Sequence, residues 1–192
     1  FKAKRPARSG DLSPAARQAD HGRIGVGPLM TGPSPRQLAE ADFISSVQQT
    51  LTCTGIQASQ VEIEVTESIL IESMEESIEK LRELRLRGVG IALDDFGTGY
   101  SSLTYLRQLP VHTLKVDKAF IDGILKDNTQ AELVSYIIDI AHALKLVVVA
   151  EGVEDPAQVE LLRQYDCDYI QGYVFSYPEP AGTILTMMER ET

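Results

Sequence analysis

The chain has 192 residues, is 43% hydrophobic and carries a formal net charge of −10, which suits one domain with a sizeable core. A pI near 4.8 argues against duplex DNA or an anionic membrane as main partner, since both are drawn to basic patches. The longest unbroken apolar run, Leu146–Ala150, is far below the roughly 18 residues of a membrane span. The two cysteines, Cys53 and Cys167, build no disulfide framework, and a reduced, cytoplasmic compartment is the simplest reading.

Residues 1 to 31 carry +4 and the remainder −14. Arg, Pro, Gly and Ala dominate this leader and no periodicity is sustained, so residues 1–33 are expected to be irregular or disordered. Order begins at Pro35, where Leu38, Phe43, Ile44, Val47 and Leu51 form a helical stripe that Gly55 stops. A strand is predicted over Val61–Glu67, a helix from Met74 to Arg87 with Glu76–Lys80 and Glu83–Arg87 as i,i+4 pairs, and a strand over Val89–Leu93. A short helix Ser101–Leu109 and a strand Thr113–Val116 follow. Thr129 and Glu132 have the spacing of a capping box that opens a long helix reaching Leu144. Leu146–Ala150 reads as a strand covered on both faces. Pro156–Tyr165 is a helix, Tyr169–Ile170 a short strand and Gly182–Glu191 a final helix. Strand and helix alternate about five times, so the fold class is α/β, an open sheet or part of a (β/α)₈ barrel.

Charged residues gather at one edge of that scheme. Glu64 lies near the carboxyl end of one strand, Asp94 and Asp95 follow the next, Asp117 the third, Glu151 the fourth and Gln171 the fifth. In parallel α/β folds the βα loops emerge there and catalytic groups converge. A single acid at a strand end commonly caps a helix; four successive strands ending in acids are poorly explained by capping alone. Adjacent side chains on a strand face opposite ways, so Asp94 and Asp95 can share a site only where the strand ends and turns, a turn that Gly97 and Gly99 allow. Paired carboxylates are hard oxygen ligands suited to Mg²⁺ or Mn²⁺. Lys115, two residues before Asp117, can supply a positive charge to a phosphoryl substrate or close an internal ion pair with a neighbouring acid.

The ordered motifs Glu64-Val65-Thr66-Glu67, Asp94-Asp95-Phe96-Gly97-Thr98-Gly99, Lys115-Val116-Asp117, Glu151-Gly152-Val153-Glu154 and Gln171-Gly172-Tyr173 resemble those of the EAL domain, the bacterial cyclic di-GMP phosphodiesterase family. The resemblance runs from about Ser34 to the carboxyl terminus. It implies a modified TIM barrel with one antiparallel strand, and Mg²⁺- or Mn²⁺-dependent hydrolysis of cyclic di-GMP to linear pGpG. It further implies Glu64, Asp94, Asp95 and Asp117 around the metals and Glu151 as metal-associated carboxylate or general base. Lys115 would position the attacking water and Gln171 would meet substrate. Glu67 would hold the loop from Asp95 to Ser102, and Glu154 the loop after Glu151.

The chain departs from the family in two places. It contains no Glu-Ala-Leu, and Gly32 stands where the family has a ligand Asn. The expectation is therefore a truncated EAL domain over residues 34–192, a partial barrel lacking its first strands. Two metal ligands would be missing and activity impaired. Open strand edges would favour a homodimer or a partner domain that supplies the missing strands. The alternatives are an inactive module that binds cyclic di-GMP or a protein partner, and a non-functional gene fragment.

Overall fold

The computed structural model describes residues 2–4, 24–25, 29–66, 74–97, 106–180 and 182–183. The chain divides into two compact units, one made of Gly27–Asp117 with Ala141–Val147, the other of Phe1–Val26, Lys118–Ile140 and Val148–Thr192.

The first unit is a parallel sheet with helices returning the chain. Its strands are β3 (Leu29–Thr31), β4 (Val61–Thr66), β5 (Gly90–Phe96) and β6 (Thr113–Val116), each parallel to the next. Among the described residues its helices include α1 (Pro35–Ala39), α2 (Phe43–Thr54) and α3 (Met74–Leu86). Val61, Ile63 and Val65 of β4, Leu81 and Leu84 of α3 and Leu38 of α1 are all buried in its core. The continuous stripe expected from Pro35 onward is broken: α1 ends at Ala39, where Lys80 Nζ donates to the carbonyls of Leu38, Ala39 and Glu40 at 3.0 Å each. A lysine ammonium is a good partner for the orphan carbonyls of a helix end. Glu76 holds that lysine at 2.8 Å, so the predicted i,i+4 pair does more than decorate a surface. Gly55 ends α2 at φ +72° as expected. The apolar stripe of α2, Phe43, Val47 and Leu51, is only half-buried and lines, with Ile63, a cavity of about 440 Å³.

The second unit contains β1 (Lys2–Lys4), β2 (Ile24–Gly25), α4 (Lys118–Ile121), most of α5 (Asn128–Ala143) and β7 (Val147–Ala150), α6 (Pro156–Gln164) and β8 (Tyr169–Gln171). β7 and β8 are parallel, while β1 runs against both β8 and β2. Three short strands thus lie inside residues 1–33, the stretch whose composition predicts irregular chain. Backbone pairing needs no hydrophobic periodicity when the strands are only two or three residues long.

Other boundaries differ locally. The long helix is capped by Asp127, whose Oδ1 accepts from Thr129 N at 2.8 Å, so the capping box beginning at Thr129 is not what opens it. Asp155 and Gln158 form a box that opens α6. Neither the short turn of helix α4 nor its role is foreshadowed by periodicity. Glu67, most of the helix Ser101–Leu109 and most of Gly182–Glu191 lie outside the described residues.

Candidate active site

The acids of the first unit are assembled by an irregularity in β5. Leu93 pairs with Leu114 and Phe96 with Val116, so Asp94 and Asp95 together oppose Lys115. This is a β-bulge, in which one extra residue lets neighbouring side chains escape strict alternation. Asp95 takes up the extra length at φ +55°, a left-handed conformation that Asp tolerates better than most residues. The strand therefore does not end at Leu93 as expected; it continues to Phe96 and bends at the acids, and Gly97 follows at φ +94°.

Lys115 is the buried hub, its side chain only 4% exposed. Strands lie about 4.8 Å apart, so β4 and β6 are separated by roughly 9.6 Å across β5, and only long side chains can meet over it. Lys115 reaches across to place Nζ 2.6 Å from Glu64 Oε1 and 3.2 Å from Asp94 Oδ1. Ala92, fully buried and in register with Glu64, leaves the crossing open. One rung lower, Gly90 does the same. There Thr113 Oγ1 donates to buried Glu62 at 2.9 Å, and His112 Nε2 stands 3.2 Å from that same carboxylate. His112 Nδ1 accepts from Ile91 N at 3.0 Å, which fixes the tautomer with hydrogen on Nε2.

The charge balance of the upper rung is negative. Asp95 holds its proton more tightly than an ordinary carboxylate because burial disfavours its charge, and because Asp94 and Asp117 lie within electrostatic reach; Lys115 opposes them and Glu64 adds to them. Glu64 Oε1 is buried beside Lys115 at 2.6 Å and has no well-aligned hydrogen-bond donor among the described residues. An acid-rich cluster with an unsatisfied buried carboxylate oxygen suits a hard divalent cation. Among the described residues no group of three or more His, Cys, Asp or Glu already forms a metal cage, so ligation would require these side chains to close on an ion.

Gly32, directly after β3, lies next to Glu64: a Cβ built there would meet the Glu64 carbonyl at 3.6 Å, an ordinary contact. Of the other predicted site residues, Glu151, Glu154 and Gln171 belong to the second unit and are gathered about Val153. Val153 N donates to the Gln171 carbonyl at 3.1 Å and its carbonyl accepts from Val174 N at 3.0 Å. Gly172 is obligatory there, since a Cβ would fall 2.1 Å from the Val153 carbonyl oxygen. Glu154 pairs with Lys118 at 2.9 Å. Lys118 and Gln158 are contributors that motif reading passed over; the available signals were Asp122 four residues after Lys118, and a Gln at the third position of α6.

A match to the EAL domain family covers residues 15–178. The chain belongs to the EAL domain family. It is 44% identical over 147 residues to the cyclic di-GMP phosphodiesterase NbdA of Pseudomonas aeruginosa, an alignment spanning 77% of this chain and 19% of NbdA. Among solved structures, the PaMucR phosphodiesterase in complex with c-di-GMP superposes with a TM-score of 0.77 at 39% identity, covering 82% of this chain and 64% of that one. Klebsiella pneumoniae BlrP1, solved as a manganese/c-di-GMP complex, gives 0.74 at 31% identity, covering 81% and 40%. The chain spans about a fifth of the length of the curated relatives it matches. This EAL domain is thus an α/β protein built from the β/α units of a TIM-like barrel. Among the described residues no helix is long and apolar enough to cross a membrane.

Proposed function

We propose that this EAL domain acts on cyclic di-GMP, hydrolysing one phosphodiester bond to give linear pGpG with Mg²⁺ or Mn²⁺, and that its turnover is low. The reading is carried by the cluster of Glu64, Asp94, Asp95 and Asp117 about Lys115 at the carboxyl edge of three neighbouring parallel strands. The likeness to NbdA, to PaMucR in its c-di-GMP complex and to BlrP1 with manganese supports it.

Glu64, Asp94, Asp95 and Asp117 would hold a divalent cation, which would supply an activated water and charge to offset the phosphate. Lys115, placed between Glu64 and Asp94, orients the attacking water and faces the phosphate with its ammonium. Glu151 serves as metal-associated carboxylate or general base. Gln171 contacts substrate, Glu67 holds the loop from Asp95 to Ser102, and Glu154 holds the loop after Glu151. An acidic protein can take an anionic dinucleotide only where the local potential is inverted, and the cation and Lys115 together do that. The domain works in the cytoplasm, where Cys53 and Cys167 stay as free thiols, paired with a second copy or a partner domain.

Low turnover follows from Gly32, which occupies the place of a family Asn. Fewer carboxylate and amide ligands weaken Mg²⁺ binding. Gly32 also favours a second reading, a module that binds cyclic di-GMP without cleaving it.

The test is pGpG formation from cyclic di-GMP by the purified chain in excess Mn²⁺, alongside calorimetric binding with Ca²⁺ or EDTA. Slow turnover that disappears in Asp94→Asn is expected. Metal-dependent binding without product selects the second reading, and a folded chain that neither binds nor cleaves refutes both.

A further inference from the structure

We propose that Lys118 is a positioning residue for Glu151, its ammonium clamping the Glu151–Glu154 loop in the conformation that presents the Glu151 carboxylate. The role of Glu151 itself rests on the phosphodiesterase reading above; the clamp does not.

Lys118 Nζ lies 2.7 Å from Asp122 Oδ1, 2.9 Å from Glu154 Oε1 and 3.4 Å from the Gly152 carbonyl. A lysine ammonium has three donors, and here each has an acceptor. Asp122, one helical turn onward, fixes the otherwise flexible stem, and the other two bonds reach the loop. The stem also packs against that loop. Gly152 adopts φ +65°, and a Cβ on it would fall 2.5 Å from Lys118 Cγ and 2.6 Å from Lys118 Cβ. No residue but glycine fits between Glu151 and Val153 while Lys118 is in place.

The far end of the loop is held to the same turn of helix. Gln158, a buried side chain, accepts from Glu154 N and Asp155 N at 3.0 Å each and donates from Nε2 to the Ile121 carbonyl at 3.0 Å. Val153, fully buried and bonded to Gln171 and Val174, fixes the middle. Lys118 adds a tie at the Gly152 carbonyl, next to Glu151.

Exposure decides between a stabilising and a positioning role. The side chains of Lys118, Asp122 and Glu154 are 43%, 56% and 52% exposed, and ion pairs so open to water add little to stability. Three bonds from one ammonium still fix geometry, and catalytic groups misplaced by about 1 Å lose rate and affinity steeply.

The experiment compares Lys118→Met, Lys118→Arg and Glu154→Gln with the unaltered chain. It measures amide exchange over 152–155, melting temperature, and cyclic di-GMP affinity in Ca²⁺. In Lys118→Met and in Glu154→Gln, exchange over 152–155 is expected to quicken about tenfold and affinity to fall about tenfold, with the melting temperature nearly unchanged. Lys118→Arg, which keeps charge and reach, restores both. Unchanged exchange in Lys118→Met overturns the clamp, as does a melting temperature that drops with no rescue by arginine. If the unaltered chain binds no cyclic di-GMP, the phosphodiesterase reading fails, while amide exchange still decides the clamp.

Discussion

Lys115 Nζ sits 2.6 Å from Glu64 Oε1 although the two residues are on strands that do not touch, with β5 between them. The pair therefore ties β4 to β6 over the small side chain of Ala92. Lys115→Met removes the buried positive charge set against Glu64 and Asp94. Breaking a buried pair from one side is expensive because an uncompensated charge remains. Glu64 and Asp94 are each about a fifth exposed, so the expected loss is about 2–3 kcal/mol, below the fully buried case. Chemical denaturation measures it, and millimolar Mn²⁺ should recover part of the loss in Lys115→Met by replacing the missing positive charge.

Asp95 supplies a pH signature. Its pKa is raised in the fold, first by burial and then by Asp94 and Asp117, so between the ordinary carboxylate value and the raised one the native state binds more protons than the unfolded chain. Stability from this group accordingly rises as pH falls through that window and is lost as pH climbs above the folded value. Asp95→Asn, which cannot ionise, is expected to melt higher than the unaltered chain at pH 7. The gap should close toward pH 4, and melting curves across that range check it.

Gly32 offers a gain of function. It has no positive φ, and a Cβ there meets only the Glu64 carbonyl, at 3.6 Å. Gly32→Asn is expected to fold normally and to bring an amide oxygen to the carboxylate cluster, tightening Mn²⁺ binding about tenfold, since each added oxygen ligand counts at a weak hard-cation site. Gly32→Ala, with no donor, should leave calorimetric Mn²⁺ affinity unaltered.

Gly90 tests the crossing of side chains over β5. A Cβ there would lie 3.0 Å from His112 Cε1 and 3.2 Å from the Val61 carbonyl. Gly90→Val is expected to push His112 away from Glu62 and to cost about 2 kcal/mol, the usual scale of overpacking. The imidazole resonances of His112 in an NMR spectrum would report the displacement directly.

Much of this molecule was legible because the β/α period is strong. Val61–Thr66, Thr113–Val116 and Pro156–Gln164 carry clear alternation or capping chemistry, and the strand-end acids fall where parallel topology puts functional groups. The bulge was not legible, since two adjacent aspartates read equally well as a strand end. What decides is the partner strand, where one residue, Lys115, faces both. Lys118 was missed for a related reason: its partners Glu154 and Gly152 lie more than thirty residues away, and no local pattern announces them. The capping box at Thr129 had the right spacing, but Asp127 sits two residues earlier and caps the helix through the amides of Thr129 and Gln130.

The extra residue in β5 also bears on how such a domain can drift over generations. If a deletion removed either Asp94 or Asp95, Leu93 would still face Leu114 and Phe96 would still face Val116, with one residue between them on each strand. That is the pairing of a regular strand. A lineage can therefore shed half of its carboxylate pair and straighten β5 in a single genetic event, keeping the scaffold.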